Sequence, residues 1–185
     1  YRESSVPFEL LQNADDAVVE LHLLIDNGAA TNYSPHALER FVVESNNKTV
    51  RVLHWGRPIN FMGNGVGRND SYGKDLQRML VLAASDKEEL SGVTGKFGLG
   101  FKSVLLATDM PCIVSGDLKV KILGGCLPEP WSEADGALKA LQTHRLSGAA
   151  SPRGTVIEFR VADAVQPDAV LKRFVALAGL QCVFS

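Results

Sequence analysis

In Glu9-Leu10-Leu11-Gln12-Asn13-Ala14-Asp15-Asp16-Ala17, polar and apolar residues alternate at helical period. Glu9, Asn13, Asp16 and Glu20 are spaced four, three and four apart. At about 100° per residue they fall within roughly 60° of one another on a helix. Leu10, Leu11, Ala14, Ala17, Val18 and Leu21 take the adjoining face, which is expected to pack on a sheet. The polar stripe therefore sits at the border of the core, where partial desolvation raises a carboxylate's pKa toward general-base territory. One Asn carbonyl beside phosphate oxygens suits Mg²⁺, and a Glu one turn earlier is placed to polarise an attacking water. Spacing alone equally fits an amphipathic helix with a solvated polar edge.

The second informative stretch is Gly95-Lys96-Phe97-Gly98-Leu99-Gly100-Phe101-Lys102-Ser103, three glycines in six residues followed by a helix-like run. Glycines let backbone N–H groups approach an anion, and a helix N-terminus adds free donors and a positive dipole end. In physical terms this is a phosphate cradle, although a structural turn has the same composition. A P-loop would need GxxxxGK[ST], and Phe101 intrudes before Lys102-Ser103. A dinucleotide fingerprint would need a third glycine at Ser103 and a preceding strand, and both are missing.

The 185 residues suffice for one domain with a sizeable core, and 45% hydrophobic with 22% charged residues is ordinary globular composition. A net charge of −2 without like-charge blocks gives no support for nucleic-acid or membrane-surface binding. Cys112, Cys126 and Cys182 form no metal-ligand spacing, which fits reduced thiols in a cytoplasmic protein. No run of about 18 apolar residues is present. The chain begins without Met and almost inside a helix, as expected of a piece of a longer protein.

Hydrophobic period and turn residues predict a helix over 8–25, and a hairpin of strands 41–44 and 49–53. They also predict helices over 75–84 and 101–108, strands over 112–115 and 118–123, a strand over 155–161 and a terminal helix over 168–178. Residues 124–153, rich in Pro, Gly and Ala, are hard to read beyond a short helix near 136–143. Hairpin connections in place of strict βα alternation favour α+β over a doubly wound fold.

Three boxes now stand in order: Glu9 to Ala17, Gly95 to Ser103, and Gly154-Thr155 opening the strand Val-Ile-Glu-Phe-Arg. Together they resemble the N-box, the glycine-rich lid box and the late Gly-Thr of the GHKL ATPases, the superfamily of gyrase, the heat-shock protein 90 chaperones and histidine kinases. Within it they look like the heat-shock protein 90 and sacsin branch. The resemblance implies an α+β fold, a two-layer α/β sandwich of the Bergerat type, over one domain at residues 1–185. It implies Glu9 as general base, Asn13 as magnesium ligand, and Asp16 and Ala17 lining the nucleotide pocket. Lys96, Phe97, Gly98, Leu99, Gly100, Phe101, Lys102 and Ser103 would bind the phosphates, with backbone contacts from Gly98, Gly100 and Phe101. Thr155 would lie by the adenine.

One box departs from the family. Where it has Asp-x-Gly-x-Gly, with the Asp accepting a hydrogen bond from the adenine amino group, this chain reads His54-Trp55-Gly56-Arg57-Pro58-Ile59. Gly56 matches the first glycine, Pro58 replaces the second and His54 replaces the Asp. A neutral imidazole nitrogen can accept one hydrogen bond, so His54 reads adenine only if it holds the right tautomer. The expected activity is slow, Mg²⁺-dependent ATP hydrolysis. Closure of residues 60–94, made mobile by Gly63, Gly65, Gly67 and Gly73, would signal to other domains, a protein client or a dimer partner. The alternatives are a nucleotide-sensing domain without turnover and a histidine kinase catalytic domain, the latter disfavoured by Glu9 and the Gly-Phe-Lys-Ser ending.

Overall fold

The computed structural model describes residues 6–33, 40–46, 49–80, 101–145 and 153–160, together with Lys172 and Ala176. Its first element is helix α1, Val6–Asp26. Val6, Leu10, Ala14, Ala17, Val18, Leu21 and Leu24 form the buried face, so the predicted stripe of apolar positions is the one that packs. Leu11 is only half-buried.

Among the described residues six antiparallel strands follow: β1 Phe41–Asn46, β2 Thr49–His54, β3 Cys112–Ser115, β4 Leu118–Leu123, β5 Leu127–Pro130 and β6 Thr155–Arg160. Their order is β1-β2-β6-β3-β4-β5. Strand β6, the last among the described residues, is thus a central one, inserted between two hairpins and hydrogen-bonded to both. Alternation along each strand sends Val50, Val52, Ile113, Ile157 and Phe159 into one cluster with Val6 and Leu10 of α1. Leu53, Val114 and Val156 point the other way, into a cluster with Trp55, Trp131 and a short helix, α3, Asp135–His144. Helix α2, Asp75–Leu80, stands between the two hairpins in sequence.

The mixed α+β architecture matches the expectation, with α3 a layer on the second face of the sheet in addition to the expected two. Two local differences have physical reasons. The stretch expected as a helix from residue 101 is helical at Phe101 and Lys102 and then tightens into a 3-10 turn at Ser103–Leu106. Strand β5 escaped the sequence because Pro128 and Pro130 read as strand breakers. They lie on the outer edge with their missing N–H groups turned away from β4, while Trp131 N–H donates to Lys119. Of the predicted terminal helix, Lys172 and Ala176 are helical and the remainder lies outside the described residues. Among the described residues no helix is long and apolar enough to cross a membrane. Cys112 and Cys126 are free thiols.

Of residues 60–94, expected to form a mobile closing segment, 60–80 are described and 81–94 lie outside the described residues. Gly63 holds φ +82 with space for no more than a hydrogen beside Ala29, and Asn64 N–H donates to Ala29 O at 2.7 Å. Asn69 N–H closes back on Met62 O at 2.8 Å. Gly63 and Gly67 thus pack closely around the end of α1, while Gly73 faces the Met62 side chain and Gly65 has open space beside it.

The helix is seated on the sheet by a backbone-on-backbone contact. A Cβ on Gly56 would lie 2.6 Å from both Ala17 C and Val18 N, and Arg57 N–H donates to Ala17 O at 2.7 Å. Backbone cannot swing aside as a side chain can, so Gly56→Ala must displace α1. It is expected to lower unfolding stability by about 1–3 kcal/mol, read as a reduced midpoint in urea denaturation.

Candidate functional site

The sheet ends, on the α1 side, in a row of three polar side chains. His54 of β2 is in register with Thr155 of β6, and Thr155 with Ser115 of β3. They follow Val52, Ile157 and Ile113 at a two-residue interval, so all three face α1. All are buried, at 7%, 2% and 1% exposure. The hydroxyls of Ser115 and Thr155 are 2.7 Å apart, and Ser115 Oγ accepts from Ile59 N–H at 2.8 Å.

His54 Nδ1 accepts a hydrogen bond from Gly56 N–H at 3.3 Å, a turn of the kind Asp and Asn side chains make two residues on. Burial pulls the imidazole pKa down to about 4, so it is neutral at neutral pH. With Nδ1 serving as acceptor, the single proton sits on Nε2. The acceptor nitrogen expected to be available for adenine is therefore engaged within the chain.

Arg57, three residues past the last sheet position, is 3% exposed and turns its guanidinium into a cluster of acceptors. It reaches Glu20 of α1 at 2.8 Å and Asp75, the first residue of α2, at 2.7 Å. It also donates to Phe61 O at 3.1 Å, and its charge lies 3.8 Å from the centre of the Tyr72 ring. Asp75 in turn accepts from Asn60 N–H at 2.9 Å, and Asn60 Oδ1 accepts from Leu76 N–H at the start of α2. Burial pushes the Glu20 carboxyl above its usual range, and the pull of Arg57 the other way only partly offsets this. The desolvation expected along the α1 stripe is thus felt at Glu20.

The other stripe members, Glu9, Asn13 and Asp16, are half-buried along the same edge of α1, and Ala17 is buried against Gly56. Near the start of α1, Val6 and Leu10 share a cluster with Phe101 and Val104. Phe101 and Ser103 are buried there and Lys102 is half-buried. Lys96, Phe97, Gly98, Leu99 and Gly100 lie outside the described residues. The structure thus brings His54, Gly56, Ala17 and Thr155 to one end of the helix–sheet seam. Among the described residues, no three His, Cys, Asp or Glu side chains cluster to hold a metal by themselves. Mg²⁺ takes only one or two protein oxygens and keeps phosphate and water ligands, so the site expected at Asn13 does not require such a cluster.

A family model for the sacsin domain matches residues 1–127. The chain belongs to the sacsin-domain family. The matched span takes in α1, the first hairpin, Arg57 with its partners and the stretch 95–103, and it stops before α3 and β6. No curated protein matches the chain.

Within this sacsin domain, sequence reasoning missed Arg57 and Ser115. Nothing in hydrophobic period marks Arg57, because its carboxylate partners lie 37 residues before and 18 after it. The one available signal was a charged residue set between Gly56 and Pro58 in a stretch already assigned to the site. Ser115 ends a strand that is otherwise apolar and buried, a position where a hydroxyl needs a partner.

Two measurements check this geometry. Arg57→Met leaves the buried Asp75 and the half-buried Glu20 without their cation and is expected to cost about 3–5 kcal/mol. Adding Glu20→Gln and Asp75→Asn should recover part of that loss in the same denaturation assay. The second concerns pH. Above 6.5 both folded and unfolded chains hold His54 neutral, while between 6.5 and about 4 only the unfolded chain takes up the proton. Stability from this group is therefore lost as pH falls through that window. His54→Asn should flatten the pH dependence there by up to about 1.4 kcal/mol per pH unit.

Proposed function

We propose that this sacsin domain binds ATP with Mg²⁺ and hydrolyses it slowly, passing its nucleotide state to other domains of the same polypeptide, a protein client or a dimer partner. The supporting observation is the polar seam between α1 and the sheet. Glu9, Asn13 and Asp16 run half-buried along the helix edge, and His54, Thr155 and Ser115 cap the facing strands. Polar groups gathered at a core boundary cost desolvation energy, and a bound ligand that pairs with them offsets that cost. Resemblance to the GHKL boxes names the ligand as ATP.

In this reading Glu9 accepts the proton of the attacking water, and Asn13 offers its amide oxygen to the metal. Mg²⁺, when bound with the phosphates, neutralises their charge. The backbone from Gly98 to Phe101 donates to the phosphates, with Lys102 and Ser103 nearby. Asp16, Ala17, Gly56 and Thr155 surround the base. The Arg57 cluster holds the seam's far end in shape, because it ties residues 57–75 to α1.

Calorimetric titration with ATP and Mg²⁺, paired with phosphate release, tests the proposal. Glu9→Ala is expected to keep binding and lose turnover by about 10²-fold or more. Asn13→Ala should remove the magnesium dependence of binding. Wild-type binding without turnover would replace hydrolysis by nucleotide sensing, and no binding at all would overturn the proposal.

A further inference from the structure

We infer that a recess on the α3 face of the sheet docks an acidic peptide segment of a partner protein, one that sets carboxylates around an apolar side chain. The inference is independent of the nucleotide reading, because the recess lies on the opposite face of the sheet from the α1 seam. Its volume is about 360 Å³. Val114 of β3 forms the floor with Leu138 and Leu141 of α3, all three belonging to or packed on the second hydrophobic cluster. The rim carries three cations, Lys119 of β4, Arg145 at the C-terminal cap of α3 and Arg153 near the start of β6. Against them stands one carboxylate, Asp117. The chain as a whole has a net charge of −2, so this local excess of positive charge runs against the sign of the molecule.

Packing holds the rim together. A Cβ on Gly154 would lie 2.6 Å from Leu141 Cδ2 and 3.0 Å from Trp55 Nε1, so the chain entering β6 is pressed against α3. Gly116 N–H donates to Gly154 O at 3.3 Å, which ties the β3–β4 turn to the same point. Asp117 of that turn forms an ion pair with Arg153. Both side chains are exposed, so the pair is weak and Arg153 can turn to an incoming carboxylate at little cost. Arginine matches a carboxylate with two parallel N–H donors, which suits Arg145 and Arg153 to glutamate or aspartate. Asp117, Lys119, Gln142, Arg145 and Arg153 are all exposed, so the recess is open and would leave much of a free small molecule in water. An apolar side chain projecting from a larger partner fills the floor while its acidic neighbours reach the cations. That is the anatomy of a protein interface, an apolar centre inside a polar rim.

Fluorescence polarisation of the full chain with a labelled peptide, a leucine flanked on both sides by glutamates, tests the assignment. Replacing the glutamates by glutamines, or the leucine by serine, is expected to weaken binding by about fivefold or more. Arg145→Glu combined with Arg153→Glu should weaken the glutamate peptide by about tenfold or more. The same double variant should gain binding to the matching lysine peptide, which a misfolded chain would not do. Lys139→Glu, an exposed change on α3 outside the recess, shifts the net charge the same way and should leave binding within about twofold. Equal binding of the glutamine peptide, or equal weakening by Lys139→Glu, overturns the site. Competition by free N-acetylglutamate as strong as by the unlabelled peptide overturns the peptide assignment in favour of a small carboxylate. Absence of any binding by the glutamate peptide overturns the inference and leaves the nucleotide proposal untouched.

Discussion

A guanidinium taken out of water must be met on all sides by groups that are themselves held in place, and Arg57 is met by four parts of the chain. Helix α1 supplies Glu20, and the loop after β2 supplies the carbonyls of Pro58 and Phe61. Tyr72 lies across its face, and α2 supplies Asp75. Each partner is fixed by something else: Glu20 by a helix whose apolar face is in the core, Asp75 by its bond to Asn60 N–H. In a low-dielectric setting an unmatched charge is far costlier than an exposed one. The path from β2 to α2 therefore has little freedom to differ from the one observed.

The same constraint divides the polar stripe of α1. Its C-terminal member, Glu20, is committed to Arg57 and works as a structural carboxylate with a raised pKa. Toward the N-terminus, Glu9, Asn13 and Asp16 keep to the half-buried edge near Phe101 and Ser103. A row of four polar residues that looks uniform on a helical projection thus holds two different jobs. Between them Gly56 meets the helix backbone, which sets how closely the sheet end and its His54–Thr155–Ser115 row approach α1.

Much of the fold could be read before any coordinates, and the parts that could not share a cause. The 8–25 helix, both hairpins and the strand at 155 announce themselves because hydrophobic period is a local property, as are the turn residues that bound them. The α3 helix was legible in outline, observed at Asp135–His144 against an expected 136–143. Strand β5 was not, because two prolines that bar a central strand are harmless on an outer edge. Whether a strand is an edge depends on which partners flank it. The 3-10 turn after Lys102 places Val104 in the cluster that holds Val6 and Leu10 of α1, a contact that local spacing does not announce. Among the candidate site residues, Thr155 and Gly56 were assigned by motif, but the hydrogen bond that Gly56 N–H makes to His54 was beyond a motif's reach.

What the sequence determined by itself was the identity of each face: which residues of α1 go inward, which strands alternate, and which glycines and polar groups gather into three boxes. These are matters of spacing along the chain. Only the tertiary structure decided that β6 is central, that Arg57 joins Glu20 to Asp75, and that Gly56 N–H claims one nitrogen of His54. Each of these is a pairing between groups whose separation in space bears no relation to their separation in sequence, apart from the His54–Gly56 turn. Even that turn owes its rigidity to the distant backbone of α1. A buried donor or charge selects its partner from whatever packing brings within about 3 Å, so its chemistry is fixed by packing.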